Sequence, residues 1–274
     1  MMRRRLVAVI TLLALIMVIP AVVDAAAVGR FTMVEGQVDL LKQGKLPAVP
    51  AKVQDGVEPG DVIRTKSKAK AQVKFVDDSI ITMAPESRMA VADFVYDPAR
   101  GYRRAVLRYF RGLVHTVVTQ LIKVQEPEFI IETHTAVTGV RGTECFHMLF
   151  PNQTILFLPY GIMEGRAKNL KFPAVFLAHT GESWVIPLDQ PAYRGPDITP
   201  ATRERLKRML DTGIRDSDLV KIVPRLGEGA EGFPDVLKIP GETQPIIPRT
   251  LEPSLRPPPP PSGGPTGGPS GPMY

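Results

Sequence analysis

Short runs with a two-residue hydrophobic period fill residues 28–192, and turn signals separate them. Further β-branched or apolar runs occur at residues 80–83, 106–113, 129–133, 154–158 and 183–186. Glycine, proline and aspartate punctuate them at positions 44, 59–60, 77–78, 85, 98–101, 112, 142, 159–161 and 181. Since this region has no long 3.6-residue period, it predicts one all-β domain over residues 28–192.

A charged and then apolar segment opens the chain of 274 residues. Three arginines at positions 3–5 precede an apolar run at residues 6–23, and small residues follow it. This order predicts a secretory signal peptide over residues 1–25, cut after Ala25 or Ala27. The alternative is an uncleaved membrane anchor, because eighteen residues can just span a bilayer. We therefore expect a periplasmic or secreted protein, with an inner-membrane anchor at residues 6–23 as the alternative.

The net charge indicates which partners the chain can bind, and the single cysteine excludes several kinds of site. The whole chain carries a formal net charge of +6 and one cysteine, Cys145. A mildly basic exported protein meets anionic lipid or cell-wall polymer before it meets nucleic acid. A single cysteine excludes an intramolecular disulfide, a multi-cysteine zinc site and a lipid anchor near the N-terminus.

One amphipathic helix is expected after the β domain, over residues 199–213. Thr199 is a good N-cap, Pro200 suits the first helical position, and Gly213 suits a left-handed end. The apolar stripe consists of Leu206, Met209 and Leu210, and the opposite face is basic. We expect that basic face to be solvated, with transient membrane contact as the alternative.

Proline interrupts the remainder of the chain. Residues 216–250 are expected to form a linker in which prolines break every candidate element. Residues 251–274 are rich in proline and glycine and contain a run of five prolines at 257–261. Such a segment cannot bury enough apolar area to offset its ordering entropy, so we expect a disordered tail.

Two clusters carry turn chemistry in the first part of the β region. Pro59-Gly60 predicts a type II turn, which the side chain of Asp61 is placed to close. Two alternating runs within residues 71–87 meet at Asp77-Asp78, which predicts a hairpin with a tight primed turn. We expect both carboxylates of that turn to be solvated.

These clusters, taken in order along the chain, resemble the FecR-like domain family over residues 36–187. The matching features are a strand near 34–38, the Pro59-Gly60-Asp61 turn with Thr65, the hairpin at 75–85, Arg111-Gly112-Leu113-Val114, the stretch 140–146 and a final strand pair at 175–187. Asp78 stands where the family usually has glycine, and we expect it to adopt left-handed backbone. Cys145 stands where an acidic or apolar residue is usual.

The resemblance implies a β-rich fold of repeated short β-β units, solenoid-like or sandwich-like. In its best-known members it implies a periplasmic domain that relays receptor signals to a sigma factor. Because five residues precede the apolar run, we expect a stand-alone exported relative without that signalling role.

Two sets of residues are candidates for binding. Arg141, with Gly142 and Thr143, could grip a carboxylate or phosphate bidentately, or could pin a turn by bonding to carbonyls or to Glu144. A basic run with interleaved aromatic residues contains Arg103, Arg104 and Arg108. That composition suits a polyanion, whereas a strand with alternate solvated arginines is the structural alternative.

Catalytic and metal signals are weak. Cys145 and His147 lie two residues apart, so a strand would place them on one face, with His134 as a third candidate ligand. Glycine-rich phosphate loops, Gly-x-Ser-x-Gly and His-Glu-x-x-His motifs are absent from the sequence. We expect no enzyme activity, cofactor or metal.

The sequence thus predicts an exported non-catalytic module that binds an envelope protein or an anionic polymer. The alternatives are a metal-dependent or hydrolytic envelope enzyme and a membrane-tethered structural subunit. The oligomeric state does not follow from the sequence.

Overall fold

The computed structural model describes residues 27–120 and 128–215. These ranges contain a 3-10 turn at Lys42–Gly44 and one α-helix, α1, at Pro200–Thr212. Their fifteen strands are β1 Gly29–Glu35, β2 Val38–Leu41, β3 Val49–Pro50, β4 Gly56–Val57, β5 Val62–Thr65, β6 Lys70–Phe75, β7 Ile80–Met83, β8 Arg88–Asp97, β9 Tyr102–Val117, β10 Glu128–Glu132, β11 Ala136–Phe150, β12 Gln153–Ala167, β13 Val175–His179, β14 Glu182–Pro187 and β15 Tyr193–Arg194. The strand-rich class with a following helix is confirmed.

Several expectations fall on other parts of the chain. The signal segment 1–25 with its anchor alternative at 6–23, the linker 216–250 and the tail 251–274 lie outside the described residues. Within residues 27–120 and 128–215, no helix is long and apolar enough to cross a lipid bilayer.

Three long strands organise the sheet. The first half of β9 pairs with β8 and β10, and its second half pairs with β7 and β11. β11 pairs with β10, β9 and β12, whereas β12 pairs with β13 at one end and β14 at the other. β9 and β10 are parallel, and the other described pairs are antiparallel.

Each long strand bends at a glycine. Gly112, Gly142 and Gly161 have φ angles of +88°, +58° and +101°, which glycine adopts without strain. The β11–β12 register shifts beside the last two of these glycines. In β9 the bend brings the two ends together, because Nη1 of Arg103 donates to the carbonyl oxygen of Thr119 at 3.0 Å. A straight strand of that length would span about 50 Å.

The bends fold the sheet into two layers. Layer 1 contains β8, the first halves of β9 and β11, β10, the second half of β12, and β13. Layer 2 contains β1, β6, β7, the second halves of β9 and β11, the first half of β12, and β14. The main apolar core lies between the layers. Phe75 of layer 2 stacks on Phe94 of layer 1, with ring centroids 4.9 Å apart. The layering is therefore sandwich-like, with long strands shared between the layers.

Helix α1 covers the outer face of layer 2. Its bounds confirm the predicted helix: the hydroxyl of Thr199 accepts a hydrogen bond from the N–H of Thr202 at 3.1 Å, and Gly213 ends the helix. The predicted stripe is buried against a second apolar cluster on layer 2. That cluster includes Leu113, Phe146, Met148, Phe150, Ile155, Phe157 and Val185.

Of the two predicted turns, one has the expected type and the other does not. At Pro59-Gly60 the type II turn is confirmed, since Asp61 N–H donates to the Glu58 carbonyl at 3.1 Å and Gly60 has φ +92°. The carboxylate of Asp61 also closes the turn, as predicted, because its Oδ2 accepts a hydrogen bond from the Glu58 N–H at 3.0 Å.

The hairpin of β6 and β7 forms, but its primed turn was wrong. Three residues, Val76, Asp77 and Asp78, separate Phe75 from Ser79, whose carbonyl accepts the Phe75 N–H at 2.9 Å. Asp78 has φ +64°, which confirms its left-handed backbone. A type I turn followed by a left-handed residue matches the strand twist in loops of this length.

The roles predicted for some glycines were wrong. Residues 34–38 were expected to be a strand, but Gly36 has φ +67° and connects β1 to β2. Gly112, Gly142 and residues 159–161 were expected to separate strands, but they lie inside β9, β11 and β12. A glycine at a bulge and a glycine at a turn cannot be distinguished from the sequence, because both positions favour the same residue.

Candidate functional site

Arg103 is a core residue. It lies on the inward face of β9, and its side chain and that of Asp77 have no exposed surface. Nη1 of Arg103 lies 3.0 Å from Oδ2 of Asp77. Burial lowers the pKa of Arg103, and the Asp77 carboxylate opposes that shift. The expectation of solvated carboxylates was therefore wrong for Asp77, and Arg103 is not available to a surface polyanion.

The surface of layer 1 that points away from the core is called face 1. On its β9 and β10 side, arginines alternate with carboxylates. Nε of Arg104 lies 3.3 Å from Asp93 and 3.8 Å from Glu128, and Nε of Arg108 lies 2.7 Å from Glu132. Opposite charges on neighbouring strands stabilise the sheet and offset the local positive charge.

The glycine-flanked Arg141 lies on face 1 with an exposed side chain. No described carboxylate forms an ion pair with it, so the predicted pinning contact with Glu144 is not seen. Thr143 fastens the bend, because its buried hydroxyl donates to the Ile162 carbonyl at 3.0 Å and accepts the Arg141 N–H at 3.1 Å. The neighbouring Gly142 permits the turn of the chain.

Glu144 instead joins the sheet to helix α1. Its Oε1 lies 3.2 Å from Nε2 of His115, and its Oε2 accepts a hydrogen bond from Nη2 of Arg203 at 2.5 Å. The contact with His115, followed by that with Arg203, holds the pKa of Glu144 below its usual value against the effect of burial. The sequence did not single out this contact, because Glu144 and Arg203 are 59 residues apart.

Cys145 and His147 do share one face of a strand, in the core. Sγ of Cys145 lies 3.8 Å from Nδ1 of His147, and neither side chain is exposed. Burial raises the pKa of the thiol and lowers the pKa of His147 to about 3. His134 is exposed elsewhere. Across the described residues, no three His, Cys, Asp or Glu side chains group as a metal site would require.

Face 1 becomes apolar on its β12 and β13 side. Four large side chains there expose about half or more of their surface. They are Tyr160 at 64%, Ile162 at 56%, Val175 at 66% and Leu177 at 51%. We call these four residues the apolar patch. This patch was not predicted, although the continuous apolar run at residues 175–178 could have shown that the strand presents apolar side chains to both sides.

The comparison with protein families confirms the resemblance. Residues 61–155 match the family described as FecR protein. Two crystal structures of a "putative anti-sigma factor" from Parabacteroides distasonis resemble the fold at 13% identity, with TM-scores of 0.44 and 0.42. The similarity covers 56% and 53% of this chain but less than two thirds of those chains, 65% and 63%. No curated protein matches the chain.

Proposed function

We propose that this FecR-domain chain is a non-catalytic module of the cell envelope that holds a protein partner on face 1. The observation that carries the proposal is the difference between the two outer surfaces of the sheet. Helix α1 covers the outer face of layer 2 with Leu206, Met209 and Leu210. Face 1 has no such cover among the described residues and exposes the apolar patch. Exposed apolar patches on otherwise polar surfaces are typical of protein-binding sites.

Charge favours a protein over an anionic polymer. Of the arginines predicted to attract a polyanion, Arg103 is buried with Asp77, and Arg104 and Arg108 are paired with carboxylates. Arg141 remains exposed beside the apolar patch and can contact an acidic residue of the partner. A surface that joins apolar side chains to an exposed arginine fits a protein interface.

The envelope location rests on the sequence and the family. Residues 1–25 have the composition of a signal peptide, and FecR proteins are typically envelope-associated. We keep the division into a β domain at 28–192, a helix at 199–213, a linker at 216–250 and a tail at 251–274 as part of the proposal. Members of the family are generally not enzymes, which supports a binding role.

The mechanism follows from the bent strands. β9, β11 and β12 run through both layers, so face 1 cannot shift without disturbing the core between them. A partner that lies across face 1 removes the apolar patch from water, at about 25 cal/mol for each Å² of apolar surface buried. The module therefore acts as a rigid platform that needs no rearrangement on binding.

A crosslinking pull-down from envelope extracts tests the proposal. Ile162→Lys places a charge in the apolar patch at an exposed position. Val76→Lys is the control, since Val76 is also an exposed β-branched apolar residue but lies in the β6–β7 loop. We expect the same protein to be captured by the wild type and by Val76→Lys and to be lost with Ile162→Lys. Equal capture by all three chains would contradict the proposal.

The enzyme alternative has its own test. Metal analysis of the purified wild type, Cys145→Ala and His147→Ala decides it. Stoichiometric metal in the wild type that is lost in both variants would overturn a non-catalytic role and favour a metal centre at those residues.

A further inference from the structure

We propose that β13 is a self-pairing edge, through which two copies of the chain join their sheets antiparallel across a two-fold axis beside Phe176. This inference does not need the partner proposed for face 1, although Val175 and Leu177 belong to both the apolar patch and this edge. It depends on four observations: the backbone groups that β13 leaves open, the lack of protection at this edge, the side chains that line it, and the charges beside it.

The open backbone groups follow from the hydrogen-bond pattern. β13 pairs with β12 in antiparallel register, and the Ala167 N–H donates to the Ala174 carbonyl at 2.8 Å. In an antiparallel pair, alternate residues point their N–H and C=O groups toward the neighbouring strand. Ala174, Phe176 and Ala178 therefore point toward β12, and Val175, Leu177 and His179 point away from it.

One of the outward groups is already taken. The N–H of His179 donates to Oε2 of Glu182 at 3.0 Å, which closes that end of the edge. The backbone N–H and C=O groups of Val175 and Leu177 have no hydrogen-bond partner within the described ranges. The open edge is thus two residues that each offer a donor and an acceptor.

Other edges of the sheet are protected, and this one is not. β3, β4 and β15 are two residues long, and the unpaired end of β8 carries Asp93 and Asp97. Short strands and inward or edge charges are the usual devices that prevent edge pairing. Residues 175–178 contain no charge, no proline and no bulge.

A second copy satisfies this edge completely in one register. If Val175 lies opposite Leu177 of the other copy, then each of the four open groups on either chain exchanges a hydrogen bond. The two exposed side chains then meet as apolar pairs, Val175 with Leu177, on both sides of the axis. Isologous contacts of this kind close after two copies.

Charges on β12 are complementary in the same register. Arg166 lies opposite Val175 and Glu164 lies opposite Leu177, and neither forms an ion pair among the described residues. In the proposed register, the residues directly opposite one another across the four strands form a row. Each row contains Arg166 of one copy and Glu164 of the other, with the Val175–Leu177 pair between them. A register centred on Leu177 would instead place the two Glu164 side chains in one row. It would also oppose Val175 to His179, whose N–H is occupied.

Sedimentation velocity of the purified chain over a range of concentrations tests the inference. We expect a monomer–dimer equilibrium for the wild type and for the Val76→Lys control. We expect Val175→Lys to raise the dimer dissociation constant at least tenfold, because it puts a charge on the edge at an exposed position. A monomeric wild type, or a Val175→Lys chain that dimerises as the wild type does, would overturn the inference.

Disulfide trapping tests the register. The native Cys145 is buried, so engineered cysteines report on their own positions. We expect a mixture of Val175→Cys and Leu177→Cys chains to form a mixed disulfide under mild oxidation. Each chain alone should crosslink at least tenfold less, because diagonal positions are about 7–8 Å apart. Efficient crosslinking of Leu177→Cys with itself would overturn the proposed register.

Discussion

Arg103 and Asp77 form an ion pair that joins the start of β9 to the β6–β7 loop, with Nη1 and Oδ2 3.0 Å apart and both side chains fully buried. The same Nη1 donates to the Thr119 carbonyl beyond the other end of β9. One guanidinium therefore fixes the fold-back of β9, whose first half lies on face 1. Phe129 lies beneath it, with the ring centroid 5.4 Å from the guanidinium carbon.

Removal of Arg103 should destabilise the domain strongly. Arg103→Met leaves the Asp77 carboxylate buried without its counter-charge, which typically costs about 3–5 kcal/mol. Urea unfolding followed by circular dichroism measures the loss. The double variant Arg103→Met with Asp77→Asn should recover part of it, because no buried charge remains. A single variant as stable as the wild type would show that the pair does not fix the bend.

The bend at Gly161 should not tolerate a side chain. A Cβ at this position would lie 2.8 Å from the Gly142 carbonyl oxygen, and its φ is +101°. The matched control is Gly181, which also has positive φ, +87°, but has nothing within 4 Å of a Cβ. Both Gly→Ala variants carry a backbone penalty of about 1 kcal/mol. We expect Gly161→Ala to unfold at lower urea concentration than Gly181→Ala, and equal midpoints would contradict the steric account of the bend.

Stability should fall on mild acidification because of His147. Its pKa is about 3 in the folded chain, against about 6.5 in an unfolded one. Between these values the unfolded state binds a proton that the native state does not, so the unfolding free energy rises with pH through this window and is unaffected by His147 above it. The contribution reaches about 1.4 kcal/mol per pH unit.

The comparison of variants isolates this group from the carboxylates. We expect His147→Phe to have a shallower dependence of unfolding free energy on pH between pH 6.5 and 5 than the wild type. His179→Gln, at an exposed position on β13, should retain the wild-type slope. Identical slopes for His147→Phe and the wild type would show that the imidazole is not held neutral.

Glu144 should control how firmly helix α1 holds to the sheet. Glu144→Gln removes the charge that contacts His115 and Arg203 and should cost about 1 kcal/mol of stability. Hydrogen exchange in residues 200–212 should speed up more than exchange in the sheet. Arg208→Gln, an exposed change on the same helix, should leave both rates unchanged. If hydrogen exchange in the helix of Glu144→Gln were the same as in the wild type, Glu144 would not hold helix α1 to the sheet.

Local patterns in the sequence determined much of the fold. The alternation of Ala71, Val73 and Phe75, the Pro59-Gly60 turn and the bounds of α1 each depend on neighbours within a few residues, and each was predictable. The long strands were not, because glycine inside a bent strand and glycine at a turn both reflect positive φ.

The candidate surface depended on distant contacts. Nothing in the run around Arg103 shows that its side chain enters the core whereas Arg104 and Arg108 meet carboxylates of neighbouring strands. The apolar patch likewise arises because β13 is placed at the edge of the sheet beside the second half of β12. Pairing partners separated by tens of residues leave no periodic signal in a single sequence.

Site-specific photo-crosslinking in the intact cell envelope tests the central claim most directly. A photoreactive residue is placed at Ile162 in the apolar patch or, in a second chain, at the exposed Lys207 on helix α1. A protein partner held on face 1 should give a discrete adduct from position 162 and none from position 207. No adduct from position 162, or an equally strong adduct from position 207, would contradict the claim.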